Sequence, residues 1–146
     1  MPALANRSKL YESTGDYDRA IADIGRAIQL QPASGVFWSQ RCWLRATSPS
    51  PAQAVNDCNE AIRLGPRTAA RLDSRGLAYL RLGNVSSSLA DYNAALTIDP
   101  RLASALYGRG LAKRRAGDNP GADSDMAAAL RINGDVANEF ARFGLR

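Results

Sequence analysis

The chain has 146 residues, of which 45% are hydrophobic and 23% charged, a balance that suits one folded unit and excludes a disordered or membrane-embedded chain. Its net charge of +5 favours acidic partners but is not gathered into the basic stripe of a nucleic-acid-binding protein. It has no histidine, which removes the commonest general base, the commonest metal ligand and the near-neutral pH switch together. No run approaches the roughly 18 apolar residues of a membrane helix, and the start lacks the basic patch and apolar core of a secretory signal, so a cytoplasmic location without membrane insertion is expected.

Taken in order, the chain repeats itself with a shift of 34 residues, dividing into units 1–34, 35–68, 69–102 and 103–136 of one domain spanning 1–146. In the first unit Gly15 can end a helix in the left-handed conformation, Asp16 can cap the next, and Pro32 stops it. The second unit replaces that turn with Pro49-Ser50-Pro51, where Ser50 is the expected cap, and closes on Pro66. The third returns to Gly83 and Asn84 and closes on Pro100. The fourth has Gly117, with Asn119 before Pro120 as the expected cap, and carries Gly134 where the others have proline. Small residues recur as well: Ala27, Ala61, Ala95 and Ala129 align, and the eighth place holds Ser8, Cys42, Gly76 and Gly110, as two closely approaching helices require. Each unit is therefore a helical hairpin, and eight helices are predicted. After the last, Asp135 can cap a short helix over about 136–143 with Val136, Phe140 and Phe143 on one face, a cover for the end of a stack that closes with Gly144-Leu145-Arg146. Leu4 and Leu10, at the opposite end, have no such cover in the pattern.

Gly15-Asp16-Tyr17, Ala20, Ala27 and Pro32, together with Trp38, Gly76, Tyr79, Tyr92 and Pro100, form a pattern that resembles the tetratricopeptide family in its bacterial-type form. The resemblance covers nearly the whole chain. It implies an all-α, right-handed α-solenoid of four such repeats with a C-terminal capping helix, whose first helices line a concave groove for peptides or helices. Two places depart from the pattern: Arg45 and Lys113 stand where Tyr11 and Tyr79 stand, and the second unit lacks the glycine turn.

Two further features are periodic. Arginine occupies the seventh place of every unit (Arg7, Arg41, Arg75, Arg109) and aspartate the twenty-third (Asp23, Asp57, Asp91, Asp125). In a hairpin these lie at similar height, so structural ion pairs between the helices are expected rather than a row of ligand-binding arginines. Cys42 and Cys58 occupy facing places of one unit. Because packed helix axes lie about 8–10 Å apart and a disulfide needs Cα atoms within about 7 Å, two buried thiols are expected. Two cysteines and no histidine cannot complete a four-ligand zinc site, so no metal or other cofactor is expected.

If the family's geometry carries over, the groove is lined by Lys9 and Glu12, then Gln40, Trp43 and Thr47, then Ser74, Leu77, Leu80 and Arg81, and lastly Tyr107, Leu111, Arg114 and Arg115. Trp43, Leu77 and Leu111 form an apolar track, and Lys113-Arg114-Arg115 makes the far end basic, so an acidic peptide is the expected ligand. The family's grip on chaperone tails is not expected, because the places that would form it hold Ala5, Lys9, Gln40, Ala70 and Ser74. The sequence thus points to a non-catalytic protein-binding adaptor or scaffold. Self-association through the N-terminal flank, making a homo-oligomer, is the alternative, and weak RNA binding through the basic end ranks third. With no glycine-rich phosphate loop and no histidine-based triad, an enzyme is not expected.

Overall fold

The structure is a computed structural model that describes residues 2–145; Arg146, read above as part of the capping segment, lies outside them. Four hairpins follow one another: α1 (Pro2–Ser13) with α2 (Tyr17–Leu30), α3 (Gly35–Thr47) with α4 (Ala54–Leu64), α5 (Ala69–Arg81) with α6 (Val85–Ile98), and α7 (Ala103–Arg115) with α8 (Asn119–Ile132). A short α9 (Val136–Arg142) closes the described chain. Helix α3 packs on α5 and α5 on α7, while each second helix packs on the first helix of the next hairpin: α2 on α3, α4 on α5 and α6 on α7. The first helices therefore line the inner side of an all-α solenoid.

The turn chemistry explains where most helices start and stop. Asp16 accepts from the Arg19 backbone N–H and Asn84 from that of Ser87, each satisfying one of the first-turn donors a helix leaves open. Gly15, Gly83 and Gly117 hold φ values of 80°, 82° and 90°, a region that disfavours a side chain. Helix α8 corrects the sequence reading: Asp118, not Asn119, is its cap and accepts from Gly121 N–H at 2.9 Å, because Pro120 lies at the second helical position and Asn119 is already inside. Ser50 forms no side-chain cap; residues 51–53 make a 3₁₀ turn, and α4 starts at Ala54.

The eighth place of each first helix faces the twenty-fourth place of its partner, and the pairs trade volume. Beside Gly76 the twenty-fourth place holds Tyr92, whose ring lies 3.0 Å from where a Gly76 Cβ would stand. Gly110 leaves room for Met126 in the same way. In the second unit the pair is Cys42 and Cys58, and here the expectation of free thiols was wrong: they form a disulfide with Cα atoms 5.0 Å apart. The axis-to-axis distance overstated the gap. Facing Cα atoms each stand about 2.3 Å off their axes toward one another, which brings helices of about 9 Å separation within bonding range.

The arginine–aspartate pairs form in every hairpin: Arg7–Asp23 at 2.7 Å, Arg41–Asp57 at 2.9 Å, Arg75–Asp91 at 2.8 Å and Arg109–Asp125 at 2.7 Å. Each arginine donates from both Nε and Nη2 to the two carboxylate oxygens, the strong bidentate arrangement. Arg75 and Arg109 use their remaining Nη1 on Asn59 and Asn93 of the preceding hairpin, so the ladder ties units together as well as closing each one. Arg45 and Lys113, which stand where the other two units have Tyr11 and Tyr79, supply second cations to Asp57 and Asp125 at 2.7 and 2.8 Å.

At the C-terminal end Val136, Phe140 and Leu145 are buried against the α7–α8 hairpin, and the Phe143 ring meets Trp43 of α3 edge-on at 6.0 Å. Helix α9 thus reaches back over the inner face as well as covering the last unit. At the other end Leu10 is 62% exposed, although its counterparts Leu44, Ala78 and Ala112 are buried.

Candidate functional site

Two adjoining cavities open on the inner face. The first, of about 390 Å³, lies between α1, α3 and α5 and is lined by Ser8, Lys9, Glu12, Ser39, Gln40, Trp43, Leu44, Ala70, Asp73 and Ser74. The second, of about 330 Å³, is bounded by Trp43, Asp73, Leu77, Tyr92 and Ser104, with Glu139, Phe140 and Arg142 of α9 and Phe143 just after it as its cover. Trp43 and Asp73 belong to both. Volumes of this order suit one or two side chains of a bound segment.

The predicted groove residues separate into those that line these cavities and those that do not. Lys9, Glu12, Gln40, Trp43 and Ser74 line the first, and Trp43 and Leu77 the second. Tyr107 and Leu111, at 6% and 4% exposure, are packed into the core, and the Tyr107 ring lies tilted against that of Phe140 with centroids 5.0 Å apart. Thr47 and Leu80 are buried as well. The cations at the far end are engaged elsewhere. Arg81 Nη1 donates to the Ala46 carbonyl at 2.8 Å and to that of Ser48, and Arg115 Nη1 to the Leu80 carbonyl at 2.7 Å. Each arginine caps the C-terminal end of the preceding first helix, where free carbonyls and the helix dipole attract a cation. Arg114 pairs with Asp123 on α8. The reading of Arg81, Arg114 and Arg115 as free groove cations is corrected to this extent: in the structure backbone carbonyls and a neighbouring carboxylate engage them.

Sequence reasoning missed the residues at the centre. Asp73 aligns with Tyr107 under the shift of 34 residues, yet it is not among the groove residues the sequence suggested. It is 7% exposed, and its Oδ2 accepts from Ser104 Oγ across the α5–α7 seam at 2.7 Å. Burial pushes its carboxyl up to about 7, and only the Ser104 hydrogen bond opposes that rise. Tyr92 is fully buried, and its hydroxyl has no hydrogen-bond partner. Burial and then the charges of Asp73 and Asp91 hold that hydroxyl's pKa well above the ordinary range. Gln40 Oε1 is likewise buried without a partner. Burial also raises the Glu12 carboxyl, against the pull of the Trp43 indole and of Lys9. Among the described residues no cluster suited to a metal ion occurs, and no helix is long and apolar enough to cross a membrane.

Stacked hairpins with a lined inner face define a helical-repeat protein. Residues 76–117 match the TPR repeat description and residues 2–34 the tetratricopeptide repeat description, and the chain is a member of the tetratricopeptide repeat family. No curated protein matches it. Among solved structures it resembles TTC0263 of Thermus thermophilus, with a TM-score of 0.82 and 18% identity over 98% of this chain and 82% of that one. MamA is similar, with a TM-score of 0.75 and 21% identity over 92% and 79%. So is the first TPR of Spaghetti (RPAP3), described bound to the HSP90 peptide SRMEEVD, with a TM-score of 0.73 and 23% identity over 79% and 91%.

Proposed function

We propose that the chain is a protein–protein interaction module that holds a segment of a partner in the inner groove, against Trp43 and across the two cavities. The observation that carries this reading is the pair of adjoining cavities sharing one large aromatic side chain. An aromatic anchor flanked by polar groups is the usual make-up of a binding hot spot. The Spaghetti repeat, similar in fold and described with a peptide bound, supports a peptide as the class of ligand. No catalytic step and no cofactor is part of this reading.

Affinity capture from source lysate, wild type beside Trp43→Ala, tests it once both are shown to melt alike. Loss of a captured partner from the variant alone supports the groove; the same partners on both would remove it. Self-association is a second reading, favoured by the exposure of Leu10 at a place that is buried in every other unit. Its test is molar mass across a concentration series, wild type beside Leu10→Ser, and a mass that stays monomeric throughout counts against it.

A further inference from the structure

We infer that the groove floor is a pocket for a cation: it receives the ammonium or guanidinium group of a lysine or arginine presented by the partner segment, with Asp73 as the acceptor and Trp43 as the aromatic wall. The inference rests on the groove being the peptide-binding surface and assigns its ligand a chemistry.

Asp73 is the reason. An ionised carboxylate offers about four acceptor positions, and here a single hydroxyl fills one of them. Among the described residues Asp73 has no ion-pair partner, unlike Asp23, Asp57, Asp91 and Asp125, each of which is bound by an arginine. A carboxylate kept in low dielectric without a counter-charge is costly. Asp73 is not sealed in close-packed core but lines both cavities, so a counter-charge can reach it from outside.

Tyr92 lines the same cavity and is fully buried, its ring wedged between Gly76 and Gly108, where a Cβ on either glycine would run into it. It offers Asp73 no counter-charge.

The surroundings favour a cation too. The cavities add the carboxylates of Glu12 and Glu139, against Lys9 and Arg142, which are exposed. A peptide carboxylate entering the floor would meet Asp73 with no buried cation to receive it. A cation would gain the face of Trp43 as well, since aromatic faces attract ammonium and guanidinium groups.

The test is selection of short random peptides displayed on phage, against wild-type protein and against Asp73→Asn. The asparagine still accepts from Ser104 and removes a buried charge, so the variant is expected to melt no lower than wild type. We expect wild type to select peptides with arginine or lysine fixed at one position. Replacing that residue by citrulline or glutamine in a synthesised peptide should weaken binding by about tenfold or more, and Asp73→Asn should abolish the preference. Peptides that need Trp43 but show no basic preference, or keep it with Asp73→Asn, overturn the cation pocket and leave groove binding standing. Selection of no peptide, or of peptides indifferent to Trp43→Ala, removes both.

Discussion

The strongest thermodynamic consequence of the structure lies in Asp73. Its carboxyl is raised from 3.8 to about 7 in the folded chain, so between those values the folded state holds a proton that the unfolded state has released. Stability must therefore fall as pH rises through that window and level off above it. Roughly three pH units at about 1.4 kcal/mol each give a loss of about 4 kcal/mol. Asp73→Asn should abolish this dependence. At pH 9 the variant should be more stable than wild type by about that amount, on the order of 10 °C in melting temperature for a chain of this size, while near pH 3.5 the two should coincide. The groups around the carboxyl are Ser104 on α7, Tyr92 on α6, Trp43 on α3, and Glu139 and Arg142 on α9, with Glu12 and Lys9 in the adjoining cavity. Glu12 titrates in both proteins and cancels in the difference. Urea unfolding of wild type and variant at a series of pH values measures that difference directly. A gap that does not change between pH 4 and pH 8 would falsify the assignment of a buried, unpaired charge to Asp73.

Other perturbations separate the structural features from one another. Arg75→Ala leaves Asp91, 5% exposed, without its bidentate partner and should cost about 3 kcal/mol. Arg7→Ala, where the arginine is 58% exposed, should cost distinctly less; equal shifts in thermal melting would contradict the burial difference between the two pairs. Reduction of Cys42–Cys58 opens a cross-link 16 residues apart in sequence and should lower stability by about 3 kcal/mol in chemical unfolding with and without reductant. An unchanged midpoint there would mean that the cysteines are free in solution. Gly108→Ala drives a Cβ into the Tyr92 phenol and should destabilise by about 1–3 kcal/mol, whereas Gly134→Ala, where the added atom meets nothing, serves as the control.

Much of this was legible in the sequence because it depends on local or strictly periodic chemistry. Gly15, Gly83 and Gly117 each mark a change of chain direction through their own backbone, and Asp16 and Asn84 start the next helix by bonding three residues ahead. The arginine–aspartate ladder recurs in register in all four units, so the packing of one hairpin stood for the rest. What escaped depends on distance in three dimensions. The Cys42–Cys58 bond needed the true Cα approach of two helices rather than the separation of their axes. Arg81 and Arg115 were diverted by carbonyls 33 to 35 residues earlier in the chain, which no local pattern reveals. Helix α9 was recognisable as a cover from the spacing of Val136, Phe140 and Phe143, but that it reaches Trp43 is a consequence of how the hairpins curve.

The division follows from the physics of a repeat protein. Helix limits, hairpin pairing and the ladder are decided within one unit and its nearest neighbour, so the 34-residue pattern is enough to specify the solenoid. The inner-face cavities are formed jointly by α1, α3, α5, α6, α7 and α9, and they bring together Trp43, Asp73, Tyr92 and Ser104 from four different helices. Which charges there are paired depends on desolvation and on competition among donors distant in sequence, so it is settled only in the folded chain.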